Sequence, residues 1–374
     1  MDALNQKKSV NFLRGVPAEE ALIQLIPMVS KGYEKAVTHF GTDVLQYGHF
    51  NGFKPLREIL GAIHHVASDR IIVGNGGMEM ISLLFKSLPP KSNIIIEEMT
   101  YDRVIHDAQR YGHHLIGVEL TSTGLNIDQL KAVFDKTAVT AFYGIPFHQN
   151  PTGIDYTLEN RQAVEKLCKD NDALCIWDIC YELLRYDGNQ NEPIAVSNWG
   201  PILVSSFTKT ISPGTKCGYM VLPQKNIEEM TKIVANTRLN PNLPTQGFIV
   251  DFIQSGEYKN YLGYLCALYK TRMDALNTAL NTHFTGAFPA DVKGGFFSCI
   301  KLASVPSEKE ANFQSLAFEA GVGIAPAWDA VAPNLREAKQ KQGLLVRLTF
   351  PAYDAGEIEW GISTLKAVEE KLNR

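Results

Sequence analysis

The chain has little of what several classes of function require. Its six cysteines, Cys168, Cys175, Cys180, Cys217, Cys266 and Cys299, include no CxxC pair. They are scattered through apolar segments, the pattern of buried free thiols in a reducing compartment, so neither a disulfide framework nor a zinc site is expected. Positive charge is not in excess. Thirty-six Lys and Arg against 40 Asp and Glu leave a net charge of -4, which gives no electrostatic footprint for DNA or RNA. No window has the apolar run of a membrane helix, and the opening "MDALNQKKSVNFLRG" has no apolar core long enough for a signal peptide. Internal repeats and low-complexity segments are also missing. The expectation is a cytoplasmic protein without a nucleic-acid, membrane or metal partner.

What is present is ordinary in bulk and informative in order. With 374 residues, 45% hydrophobic and 20% charged, the natural expectation is a soluble two-domain protein. "VNFLRGVPAEEALIQLIPMVSKGYEKAV" reads as a strand-like arm, a turn at Gly15 to Pro17 and an amphipathic helix. "LQYGHFNGFKPLREILGAIHHV" is a glycine-rich loop carrying Tyr47, then a helix whose Leu56, Ile59, Leu60 and Ile63 share a face. From Arg70 strands and helices alternate, which predicts a parallel sheet with helices on its faces. The strands are "RIIVG", "NIIIEE", "HHLIGVEL", "AVTAFYGIP", "ALCIWDIC", "ILVSSFT" and "GYMVL". Near Asn240 two prolines break the pattern. A long, largely helical stretch follows, then a smaller α+β unit containing "GGFFSCIKL", "SLAFEAGVGIAP", "LLVRLTF" and a closing helix. The predicted divisions are an N-terminal arm with part of the small domain over 1–40, a large domain over 41–255, and an interdomain helix with the small domain over 256–374.

In parallel α/β sheets ligands collect outside the carboxyl ends of the strands. The polar residues just after each strand are therefore the informative ones. "GNGG" lies between a strand and a helix, so the N–H groups of Gly77 and Met78 would favour a phosphate. A dinucleotide fingerprint fits poorly, because Glu79 stands where its third glycine belongs. Asn150 follows a strand on a proline-fixed turn, which simple turn chemistry would also explain. Asp178 ends an apolar strand and needs a partner, a cationic ring or a core arginine. Tyr101 could stack on a planar ring. In "SSFTKTISPGTKCGYM" a buried ammonium at Lys209 would be pushed toward its neutral, nucleophilic form or used on an anion. A surface lysine on a Ser/Thr-rich loop would read the same. Ser206 and Lys216 flank it, and Arg347 is a charge inside an apolar strand, as expected of a bidentate carboxylate anchor.

The pieces "YGHFNGFKPLRE", "NGGMEMI", "MTYDRV", "NPTG", "DICY", "SFTKTISPGTKCGY", "GGFFSCIKL" and "VRLTF" resemble, in order and spacing, the class I/II aminotransferases, pyridoxal-phosphate enzymes of fold type I. The resemblance spans nearly the whole chain. It implies a mostly parallel seven-stranded α/β domain with a smaller α+β domain, and a homodimer with shared active sites. It makes Lys209 the Schiff-base lysine and proton carrier, and Asp178 the partner of the pyridine nitrogen. Tyr181 and Asn150 would bond the phenolic oxygen, and Tyr101 would stack on the ring. Gly77, Met78, Ser206, Lys216 and the neighbouring subunit's Tyr47 would hold the phosphate. Arg347, with Gly15 and Asn150, would bind the substrate.

The implied reaction moves an amino group between an L-amino acid and a 2-oxo acid by a ping-pong mechanism. A carbon–sulfur β-lyase would use the same residues. A regulatory module is a further alternative, which the absence of a basic domain before the fold disfavours. Three positions depart from the family pattern: Lys216 replaces an arginine, Ile179 a glutamate and Ala327 a glycine. Trp328 and Asp329, beside Ala327, are expected to reshape the pocket for the substrate side chain.

Overall fold

All seven apolar segments predicted as strands join one sheet. The computed structural model describes residues 9–287 and 291–374; positions 1–8, where the predicted arm begins, lie outside the described residues. In chain order the elements are β1 (Val10–Asn11), α1 (Glu19–Phe40), α2 (Lys54–Ile63), β2 (Ile71–Gly74), α3 (Gly77–Ser87), β3 (Asn93–Glu97), α4 (Asp102–Arg110), β4 (His114–Val118), β5 (Leu120–Thr121), β6 (Gly124–Leu125), α5 (Ile127–Lys136), β7 (Ala141–Gly144), α6 (Leu158–Asp170), β8 (Leu174–Asp178), β9 (Ile202–Ser206), β10 (Gly218–Val221), α7 (Ile227–Ala235), α8 (Leu243–Gln254), α9 (Glu257–His283), β11 (Phe297–Leu302), α10 (Glu310–Glu319), β12 (Val322–Gly323), α11 (Arg336–Gln340), β13 (Leu344–Thr349) and α12 (Ala355–Leu372).

The large sheet runs β2-β10-β9-β8-β7-β3-β4, parallel except for β10, which is antiparallel to both neighbours. This is the expected mostly parallel α/β architecture. Its strands are buried on both faces, so they read as unbroken apolar runs rather than alternating ones: Ile94, Ile95 and Ile96 of β3 have no exposed surface. Helices start where the sequence supplies an acceptor for free N–H groups, at Asn126, Thr157, Asn242 and, in a capping box, Asp354. β11 and β13 form a separate antiparallel pair, and the arm adds β1 to β12. The arm thus brings residues 13–15 to the mouth of the large sheet. α9 packs against α12, whereas α1 packs against α8. α7 was not anticipated from the sequence. Among the described residues no helix is long and apolar enough to cross a membrane.

Candidate active site

The parallel strands deliver their carboxyl ends to one edge of the sheet. There β10 enters between two of them, with Gly218 paired to both Gly74 and Ser206. Gly218 has to be small: a Cβ would come within 2.5 Å of the Gly77 nitrogen and collide with the Gly76 carbonyl carbon. Behind it α3 begins at Gly77, after an N-cap at Gly76, with no side chain capping its first N–H groups. Such a helix end is an anion site. A Cβ added at Gly77 would lie 3.3 Å from Cys180 Sγ and 3.6 Å from Ser206 Cβ, so these three residues converge. Ser206 Oγ bonds Thr208 Oγ1 at 2.6 Å and donates to the Cys217 carbonyl at 3.1 Å. Lys216 is exposed with left-handed backbone (φ 49°, ψ 51°), and Met78 is half-buried in the first turn of α3.

Asp178 closes β8. Burial pushes its carboxyl up, and its hydrogen bonds pull the other way. Oδ2 accepts from the Tyr143 hydroxyl at 2.8 Å and Oδ1 from the Cys180 N–H at 3.1 Å. Tyr143 sits inside β7, fully buried, and sequence reasoning passed it over as core. Burial and the neighbouring Asp178 hold its phenol far above the usual range, so it remains a donor. Tyr101, half-buried at the start of α4, is near enough to Asp178 for that charge to raise its phenol further, after burial and Asp102. Tyr181 is buried among Phe296 and Phe297. Asn150 is 3% exposed, and its side-chain oxygen has no hydrogen-bond partner.

Lys209 follows β9. Its Nζ lies 5.9 Å from the Tyr181 ring centre and 5.2 Å from that of Phe296, and donates to the Gly15 carbonyl at 3.3 Å. Desolvation lowers its pKa; Arg347 and Lys216 push the same way, while Cys180 and Asp178 oppose them. The result favours the neutral amine more than solvent would. Gly15 has to be glycine because a side chain would run into the Phe297 ring. Arg347, on β13, donates through Nη2 to the Leu13 carbonyl at 2.9 Å and lies over the Phe297 ring at 5.3 Å. Beside it is a pocket of about 130 Å³ lined by Leu13, Asp102, Ala325 to Ala327, Asp329 and Ala330. Asp329 and Ala327 therefore face this pocket. Trp328 does not: its indole N–H turns to α10 and donates to Glu310 at 2.8 Å. Tyr47 stands apart on the surface, 77% exposed.

The uncapped helix end, the unpaired amide oxygen of Asn150 and the buried carboxylate of Asp178 together fit a flat, cationic ring that carries a phosphate. The family model for aminotransferase class I and II matches residues 11–362. An uncharacterized HTH-type transcriptional regulator, YdfD of Bacillus subtilis, is 24% identical over 99% of this chain and 76% of its own length. Aromatic-amino-acid aminotransferase 1 of Thermococcus litoralis is 24% identical over 72% of this chain and 68% of its own. Among solved structures, the α-aminoadipate aminotransferase LysN of Thermus thermophilus, complexed with N-(5'-phosphopyridoxyl)-L-leucine, superimposes with a TM-score of 0.85 at 21% identity, covering 98% of this chain and 93% of that one. The chain belongs to the class I and II aminotransferases, pyridoxal-phosphate-dependent enzymes.

Proposed function

We propose that the protein moves an amino group between an L-amino acid and a 2-oxo acid in a ping-pong cycle, with Lys209 as the covalent and proton-carrying lysine. One observation carries this reading: the Lys209 amine, shifted toward its neutral form by burial, lies near enough to Asp178 and Arg347 for both charges to act on it. Bound pyridoxal phosphate would supply an electron sink conjugated to the amino nitrogen. The residues of this chain do the rest. Asp178, kept toward its anion by Tyr143, would hold a proton on the ring nitrogen. Lys209 would take the proton from the substrate α-carbon and return it to the cofactor carbon on the other side of the amino nitrogen. Arg347, oriented by the Leu13 carbonyl, would grip the α-carboxylate and fix which bond faces the lysine. Tyr101 would cover one face of the ring. Gly77, Met78, Ser206 and Lys216 would hold the phosphate, Lys216 as a point charge rather than a fork.

The reading includes a homodimer with shared sites. Leu45, Tyr47 and Leu239 are 65%, 77% and 71% exposed, and Gly48 N–H reaches Asn240 Oδ1 at 3.4 Å, joining the segments that carry Tyr47 and Leu239; exposed apolar side chains of this size support a second copy covering them. Lys209→Ala should bind pyridoxal phosphate yet lose turnover by more than about a hundredfold. Mixing it with Tyr47→Ala under subunit exchange should restore activity, because one of the two mixed sites is then intact. No restoration would count against shared sites, and a visible band unchanged in Lys209→Ala would remove Lys209 from its role. Release of pyruvate and ammonia from cystathionine without any 2-oxo acid would replace the transaminase by a β-lyase.

A further inference from the structure

Glu97 is a buried acid for which the reaction has no use. It ends β3 with no exposed surface, and its charge is met by hydrogen bonds alone. Oε1 accepts from the Ile145 N–H and the Tyr156 hydroxyl, each at 2.9 Å. Oε2 accepts from Gln149 Nε2 at 2.7 Å and Thr100 Oγ1 at 2.8 Å. Two of these donors precede site residues: Thr100 comes before Tyr101, and Gln149 before Asn150.

The bonds go beyond these pairs. Gln149 Nε2 also donates to the Met99 carbonyl at 2.6 Å, and its Oε1 accepts from the Thr152 N–H at 2.9 Å and hydroxyl at 2.6 Å. One carboxylate thus ties the exit of β3 to the whole turn after β7. Burying a carboxylate without a cation is expensive, and packing alone would favour an apolar residue here. What an apolar residue could not do is fix the two loops relative to each other.

We propose that Glu97 is a positioning residue that sets the separation of Tyr101 and Asn150, and so the width of the slot for the cofactor ring. The inference rests on the reading of those two residues as ring contacts. Burial pushes Glu97 up to about 7 despite four donors, so it is partly protonated near neutral pH. A proton on it can be donated in a hydrogen bond only to the Tyr156 or Thr100 hydroxyl oxygen, because the N–H groups of Ile145 and Gln149 cannot accept. The amide ties therefore hold in both states, as a positioning role requires.

The test uses apo-protein, pyridoxal phosphate as the probe, and two readouts: the cofactor dissociation constant and the visible circular dichroism band of the bound ring. Glu97→Gln, with unchanged far-ultraviolet dichroism, should weaken binding by about tenfold, a loss in the range known for supporting partners of ligand sites. Its visible band should change shape or sign. Thr100→Val and Gln149→Met, which each cut one tie, should each give part of the effect. A folded Glu97→Gln with wild-type affinity and band overturns the inference. Should that variant not fold, wild-type values in both Thr100→Val and Gln149→Met overturn it instead. Wild-type protein that binds no pyridoxal phosphate would sink the site reading as well, which separates the two failures.

Discussion

Asp178 shows how much of a site's chemistry is decided by a neighbour that does none. Its carboxyl is pushed up by burial, and the Cys180 thiol and then the Tyr143 hydroxyl are the side-chain bonds that hold it toward the anion. Tyr143→Phe removes that one donor and leaves the shape of β7 intact. A hydrogen bond to a charged group contributes about 1.5–3 kcal/mol, which corresponds to about one to two pH units. The sign follows from the proposed role, in which Asp178 must be ionised: a higher pKa makes activity fail earlier as pH falls. The acid limb of kcat/KM against pH should move up by that amount while the alkaline limb stays. An unmoved acid limb would show that Tyr143 does not govern Asp178. Tyr143 was not legible in the sequence because a tyrosine in "AVTAFYGIP" reads as core, and only the pairing of β7 with β8 sets it against Asp178. Lys209, Asp178 and Arg347 were legible because each is a charge at or inside an apolar strand, where a charge needs a reason.

At the scale of elements, the proposed phosphate cradle is made by the meeting of β2, α3, β9 and β10 rather than by a loop motif. Strands and helices were readable from apolar runs and their punctuation, and the position of the site followed from the rule about strand ends. Strand order was not readable, and neither was the reversed direction of β10, since both depend on which neighbours compete for each edge. Gly218 is the residue whose importance depends on that hidden order. Its stretch was singled out, but no role could be given to it until β10 was seen to run between β2 and β9. Gly218→Ala should push the Gly76–Gly77 backbone away from Ser206, because the opposing atoms are main chain and cannot swing aside. Cofactor release should speed up by about tenfold or more, since the N–H groups at the helix end lose their aim. Fluorescence of the freed cofactor on dilution measures this. A release rate equal to wild type would mean the cradle tolerates the shift.

For the molecule as a whole, the buried titratable groups give stability a direction with pH. Burial pushes Glu97 and Glu182 each up to about 7, and burial with His65 pushes His64 down to about 4. A carboxyl raised on folding binds its proton better in the folded state, so its contribution is full below the unfolded value and is lost as pH rises through about 7. His64 is opposite: its contribution is full above the unfolded value of about 6.5 and is lost as pH falls through about 4. Between about pH 5 and 6.5 these two carboxyls act against this imidazole, so the three groups leave about one extra proton on the folded state and a loss of about 1.4 kcal/mol per pH unit, to which the raised Asp178 and Glu165 add and which the lowered His49 opposes. Above about 6.5 the imidazole no longer compensates and the fall steepens until both carboxyls are ionised. The melting temperature of the cofactor-free protein should therefore decline by a few degrees from pH 5.5 to 7.5. Glu182→Gln, which removes one of the two carboxyls, should flatten that decline. A melting temperature that rises across the same interval would mean that these carboxyls are not held protonated by burial, and the four donors around Glu97 would then have to outweigh its desolvation.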